Sequence, residues 1–339
     1  MCKQLIVALA LLVAGKFSQA QCLGSCCSAS SSTDITNHSS SDKKGGWQVS
    51  AGYSIMQYHP FTDDQLKQWS DSLNATFTVR SQHSVKLALQ YNITDRWKVS
   101  ASLPYNFSFD NREGHTHEGD NKEIHYYGNV RGLGDATFVG SYEWLGKNKN
   151  HWQFSTGIGI KAPTGQTHVV SSNHTGVPAH LEPGTGTWDP VATLRIKKSV
   201  KQWMLVGDVF GKIATTVNQH NMGDYVSGTV TAFWQAAQKA EQSVSSLTFF
   251  GALQTDFNSK MRMPQNHIHT GSSDPVVNAP VTTFENSGFT RVFISVGTLV
   301  SPGKHFTIPF SLSVPMYQHL NGYQVKMQWK STLGFTINF

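Results

Sequence analysis

The chain has 339 residues and carries 27 Lys and Arg against 21 Asp and Glu, a formal charge of +6. Charged residues make up only 14% and aromatic residues 11%, which excludes a coiled coil, a collagen-like chain and an intrinsically disordered one. The surplus of base is small and scattered, so there is no nucleic-acid footprint.

Residues 1–20 read as a secretory signal peptide. Lys3 supplies the basic start, Leu5 to Ala14 the apolar stretch, and Ser18-Gln19-Ala20 the small-residue cleavage site. Residues 21–45 form a Ser-rich flexible tail that cannot bury a core. It holds Cys22, Cys26 and Cys27, an odd number for an exported chain, so at least one thiol is unpaired or paired between chains. Cys22 and Cys26 are the candidates for a lipid anchor.

From residue 46 to 339 the dominant signal is alternation with a period of two. Trp47, Val49, Ala51, Tyr53 and Ile55 share one face and Gln48, Ser50, Gly52 and Ser54 the other. Trp97, Val99, Ala101, Leu103, Tyr105 and Phe107 repeat it. In the last segment Val325, Met327, Trp329, Leu333, Phe335, Ile337 and Phe339 oppose Gln324, Lys326, Gln328, Lys330, Thr332, Thr336 and Asn338. About twelve strands are expected, near 46–56, 80–91, 97–108, 134–145, 152–162, 188–197, 203–214, 224–235, 246–257, 288–300, 306–316 and 323–339.

The connections between these strands alternate short and long. The long, polar, Gly/His/Asn-rich ones are 57–79, 109–133, 163–187, 215–223 and 258–287. Six of the nine Trp (Trp47, Trp97, Trp144, Trp152, Trp203 and Trp234) fall at the short-turn ends. A soluble sandwich has no reason to sort its connections and its Trp by side. An all-β, transmembrane, antiparallel up-and-down β-barrel does, with one aromatic girdle at the inner interface. The last strand ends in Phe339, which looks like the signal read by the barrel-assembly machinery in the outer membrane of a Gram-negative bacterium.

The polar faces then turn inward. The expected pore-lining charges are Lys86, Lys161, Arg195, Arg291, Lys326, Lys330, Asp135 and Asp189, with Met204, Phe210, Phe233 and Phe250 making the interior greasier than that of a general porin. No catalytic residue is assigned, because no cofactor or zinc-enzyme motif occurs. The one Ser/His pairing comparable to that of barrel phospholipases, His83 beside Ser81 with outward parity, lacks a base-orienting partner.

Eleven of the fifteen His lie in the expected outer loops, ten in the long connections and His319 between the last two strands. Two His-x-His pairs, His115/His117 and His267/His269, with His125 and His174 as substitutes, make a candidate Cu or Zn site, and nearby Met261 and Met263 would favour Cu(I).

Leu103-Pro104-Tyr105, then Gly132-Leu133-Gly134-Asp135, then Gly157-Ile158-Gly159-Ile160-Lys161-Ala162-Pro163-Thr164-Gly165 and Gly184-Thr185-Gly186 follow one another. In this order they resemble the outer-membrane transporter family named after the MetA pathway of phenol degradation, over roughly residues 47–339. The resemblance implies a small barrel for uptake of small, often apolar or aromatic molecules. Each of these Gly also fits a tight rim turn or bulge with positive φ. The leading expectation is a passive channel in the lipid bilayer. The rival is a non-conducting barrel whose loops bind metal ions or a partner.

Overall fold

The computed structural model describes residues 44–70, 75–116, 121–145, 152–238, 246–264, 280–303 and 305–339. The signal peptide, nearly all of the tail with its Cys, and His117, His267 and His269 lie outside these residues.

In chain order the elements are β1 (Trp47–Tyr58), helix α1 (Asp63–Trp69), β2 (Thr76–Thr78), β3 (Ser81–Asn92), β4 (Trp97–Thr116), β5 (Lys122–Leu133), β6 (Ala136–Leu145) and β7 (Trp152–Ala162). There follow β8 (Asp189–Val200), β9 (Trp203–Lys212), β10 (Tyr225–Gln238), β11 (Ser246–Asn258), β12 (Arg262–Pro264), β13 (Val281–Thr283), β14 (Phe289–Ser301), β15 (Phe306–Leu320) and β16 (Met327–Asn338). Twelve of them close a ring of antiparallel neighbours, β1-β3-β4-β6-β7-β8-β9-β10-β11-β14-β15-β16 and back to β1. All twelve coincide with the expected spans, with ends differing by up to four residues except for β4, which runs eight residues further, to Thr116.

Why the chain closes this way follows from its outer face. Leu87, Phe138, Ile158, Leu205, Val230, Leu253, Val296, Phe310 and Leu333 are each more than 40% exposed and share a belt around the barrel. A water-soluble protein does not leave so much contiguous apolar surface uncovered, whereas lipid covers it at no cost. Inside lipid every backbone group must find a partner in the protein, which a closed ring of strands supplies and an open sheet does not.

The six Trp at the short-turn ends are all exposed. They pack against neighbouring side chains, Trp47 tilted on Tyr91 at 4.4 Å and Trp97 tilted on Tyr142 at 4.9 Å between ring centroids, and Lys198 sits 4.6 Å over Trp152. This is an interfacial girdle. The chain ends against it, Phe339 N–H donating to Trp47 O at 2.9 Å.

One strand departs from the expected faces. Ladder pairing runs Met56 to Lys330 and Gln57 to Trp329, and then Tyr58 to Met327, so one residue of β16 is bulged out. A single extra residue inverts every side chain beyond it. Met327 and the preceding Val325 are consequently buried, not lipid-facing, and Lys326 is exposed where an inward lysine was expected. Lys330, before the bulge, stays inward and buried.

The long connections also carry more structure than expected. β4 runs on past the barrel to Thr116 and forms a hairpin with β5, and β2 pairs with its other edge. The free edge of β5 is capped by the 163–187 segment, with Ser172 N donating to Asn129 O and Gln166 N to Leu133 O, which protects it from strand addition. Helix α1 begins with a capping box between Thr62 and Gln65 and is held on the hairpin by Arg112, which donates to Asp63 Oδ1 at 2.6 Å. The Tyr126 hydroxyl donates to Asp63 Oδ2, also at 2.6 Å.

Candidate functional site

Three of the four segments quoted for the family resemblance meet at one carboxylate, and the fourth joins them through Pro104 O, which accepts from Gly134 N at 2.9 Å. Asp135, just before β6, is buried in the interior and accepts from Gly165 N at 3.0 Å, from Thr185 N at 3.0 Å and from the Thr185 hydroxyl at 2.6 Å. The Lys161 ammonium donates to Asp135 Oδ2 at 2.5 Å, to the Thr185 hydroxyl, and to Thr187 O at 3.3 Å. It also lies 3.0 Å from Asp189 Oδ2, and Lys212 approaches the same oxygen at 3.8 Å. Two bases and two acids thus neutralise one another inside the wall, which is the condition for burying charge.

What this lattice does is tie both ends of the 163–187 segment to the barrel interior. Gly165 and Gly184 cross there at a separation that a side chain would not allow. A Cβ on Gly184 would come within 2.6 Å of the Gly165 backbone, and one on Gly165 within 2.6 Å of the Gly184 Cα. Neither residue has positive φ, and of the quoted Gly only Gly186 does (φ 69°). Close backbone approach, not turn geometry, is therefore the reason for Gly at these two crossing positions.

The anchored segment reaches a large apolar cluster. Met56 and Tyr58 of β1, Tyr225 of β10, Phe293 of β14, and Val325 and Met327 face inward from the wall. Phe77 of β2, Ala179, Met222, Met261, Met263 of β12 and Phe284 come in from the long connections and fill the space between. Five of these side chains are Met, the most adaptable of apolar residues. A second, smaller cluster lies towards the Trp girdle, where Val206, Phe233, Phe250 and Leu299 pack with Met204. Between the two the inward residues are polar, among them Thr229, Thr231, Gln254, Ser295 and Ser313, with Arg195 donating to Asp208 at 2.6 Å. The lumen is layered along its length as apolar, polar, apolar.

The expected pore-lining charges fall into groups. Lys161, Asp135 and Asp189 are brought together in the anchoring lattice. Arg195 pairs with Asp208, Lys86 is half-buried on β3, and Arg291 and Lys330 are buried. Lys326 alone is exposed, beyond the bulge.

Of the candidate metal ligands, His115 and His125 meet edge to face with ring centroids 4.7 Å apart, and His115 Nε2 lies 3.4 Å from Glu113 Oε2. Glu113 also accepts from the Tyr127 hydroxyl at 2.9 Å. That phenol is pushed to higher pKa, chiefly by burial and then by the Glu113 charge. Among the described residues no group of three His, Cys, Asp or Glu is arranged to hold a metal. Met261 and Met263 are each about 1% exposed and belong to the apolar cluster, so the expectation that they stand by as loop thioethers is corrected. His83 does face outward, but its Nδ1 meets the Tyr53 hydroxyl at 2.5 Å and its ring packs on Phe109.

No family model matches the chain. Among solved structures it is similar to an outer membrane channel from Pseudomonas putida F1, at 13% identity over 88% of this chain and 96% of that one, with a TM-score of 0.52. It is more distantly similar to the beta domain of the Bordetella autotransporter BrkA, at 11% identity over 87% and 100% with a TM-score of 0.43. For the CymD monoaromatic hydrocarbon channel the values are 10% identity over 95% and 94% with a TM-score of 0.40. At such identities the likeness is one of fold, that of an outer-membrane barrel.

Proposed function

We propose that this protein is a passive channel of the Gram-negative outer membrane for small, apolar or aromatic solutes. The observation that supports it most is the Met-rich apolar cluster held inside a membrane barrel by side chains of the long connections. A wide aqueous pore has no use for such a layer. Flexible Met side chains can repack around a passing apolar molecule without a fixed cavity. The lower cluster of Phe233 and Phe250 forms a second apolar step, and the two apolar layers together slow small ions. In this reading the protein is exported by residues 1–20, assembled through the strand ending in Phe339, and has no catalytic role.

The test is entry of the apolar probe N-phenylnaphthylamine into vesicles with a lipopolysaccharide outer leaflet, which resists such molecules. Barrel-containing vesicles should take it up several-fold faster than protein-free ones, and equal rates would refute the proposal.

A second reading is favoured by the contact between His115 and His125, namely that the outer connections bind Cu or Zn together with His117, His267 and His269. Calorimetric titration separates them. Zn binding by the wild type that is lost when these His are changed to Ala supports the metal reading, and indistinguishable binding removes it.

A further inference from the structure

We infer that Arg291 recognises the carboxylate of a solute whose body is apolar, so that the molecules passed are small organic acids with an aliphatic or aromatic tail. This rests on the channel reading above and names its substrate class.

Arg291 projects inward from β14, two residues from Phe289 on one side and from Phe293 on the other, and Phe293 belongs to the Met-rich cluster. It is only 5% exposed. A guanidinium is always protonated and takes a planar fork of donors into burial with it. Burying such a charge costs several kcal/mol unless a carboxylate and hydrogen bonds compensate.

Here the compensation is incomplete. Among the described residues no carboxylate lies within ion-pair distance, and Nε has no hydrogen-bond acceptor. The cross-strand neighbour is Asp256, but its Oδ1 accepts from the Ser227 hydroxyl and from Gln254 Nε2, each at 2.7 Å. The neighbour on the other side, Gln318, has its amide engaged elsewhere, bridging the N–H and C=O of Met327 at 2.9 and 2.8 Å. Facing the guanidinium are the Phe289 ring at 4.0 Å and the Tyr58 hydroxyl, which accepts a hydrogen bond from it, with the Tyr225 phenol nearby and the Asp256 charge acting from beyond ion-pair distance.

The contrast with the other buried bases is instructive. Lys161 and Lys212 have Asp135 and Asp189, and Arg195 has Asp208. Among the described residues Arg291 is the buried arginine at the apolar cluster, and no carboxylate lies within ion-pair distance of its fork. A buried ionisable group in a membrane protein marks a pathway or ligand site by default. Its geometry suits a bidentate carboxylate, and the Met and aromatic side chains around it suit a hydrocarbon tail. An uncharged apolar solute would use the second feature and leave the first unanswered.

The experiment measures binding of octanoate and of octanol to the full chain in nanodiscs, with binding to empty nanodiscs subtracted, for the wild type, Arg291→Met and Arg291→Lys. The expectation is at least tenfold preference of the wild type for the acid, loss of that preference in R291M with octanol binding kept, and partial preference in R291K. Equal affinity of the wild type for acid and alcohol overturns the inference, as does a preference that survives R291M. The wild-type comparison stands alone should R291M fail to assemble. Octanol binding with no acid preference would leave the channel reading intact while removing this one.

Discussion

Replacing Lys161 by Met should release the inward segment 163–187. The substitution keeps roughly the volume of the side chain and removes its charge. It strips the ammonium from Asp135 at 2.5 Å and from Asp189 at 3.0 Å, both carboxylates being almost fully buried. Breaking a buried pair from one side costs about 3–5 kcal/mol. Asp189 retains Lys212 at 3.8 Å, so the loss falls mainly on Asp135 and the lower end of that range applies. Asp135 can regain solvation only if water reaches it, which requires Gly165 and Thr185 to move away. A cost of about 3 kcal/mol shifts the ratio of released to anchored segment by somewhat over a hundredfold. The assays are limited proteolysis between residues 163 and 187 and single-channel conductance in planar bilayers, both expected to rise. Adding Asp135→Asn should return much of the effect, because the uncompensated charge is gone. Unchanged cleavage and conductance in K161M would refute the anchoring argument.

Three further outcomes are expected. Changing Phe339 to Asp should impair assembly, read as heat-modifiable mobility of the folded barrel, far more than changing Asn338, since Phe339 lies exposed in the girdle beside Trp47. In a conducting pore Lys330→Glu should move ion preference towards cations and Lys326→Glu much less, because only Lys330 is inward and buried; equal shifts in reversal potential would contradict the bulge. Asp63, held below its ordinary value of 3.8 first by the Tyr126 hydroxyl and then by Arg112, stabilises α1 docking above that pH, and the gain is lost as pH falls through the lower folded value. Water around Asp63 limits this contribution to about 0.5 kcal/mol. Tyr126→Phe should therefore shift the loss upwards in pH, seen as earlier proteolysis at α1 on acidification.

The barrel was legible because its two solvents are so unlike. Lipid outside and polar lumen inside force strict alternation, and the Trp at one interface mark which ends are short turns. The same rule fails where one residue is added. Val325 and Met327 continue the apolar rhythm of β16 in sequence, yet the bulge beside Trp329 turns them inward and Lys326 out. No pattern in a single strand distinguishes the two, since it is pairing with β1 that decides. The lumen filling was harder still. Phe77, Met222, Met261, Met263 and Phe284 are scattered through polar connections far apart in the chain, and only the fold brings them together. Met56 and Tyr225 did leave a trace, as large apolar residues at positions whose parity assigns them to the lumen. Arg291 was placed inward by parity alone, but that no carboxylate comes within ion-pair distance of its fork depends on how the neighbouring strands pack. Gly165 and Gly184 were visible as special positions, and their reason, a backbone crossing over Asp135, was not.

The most direct test of the account is the electrical behaviour of the purified barrel in planar bilayers, with insertion verified independently. A lumen narrowed by two apolar layers and an anchored segment predicts small, discrete conductance steps for the wild type and larger ones for K161M. Membranes that stay electrically silent with both proteins inserted would contradict it.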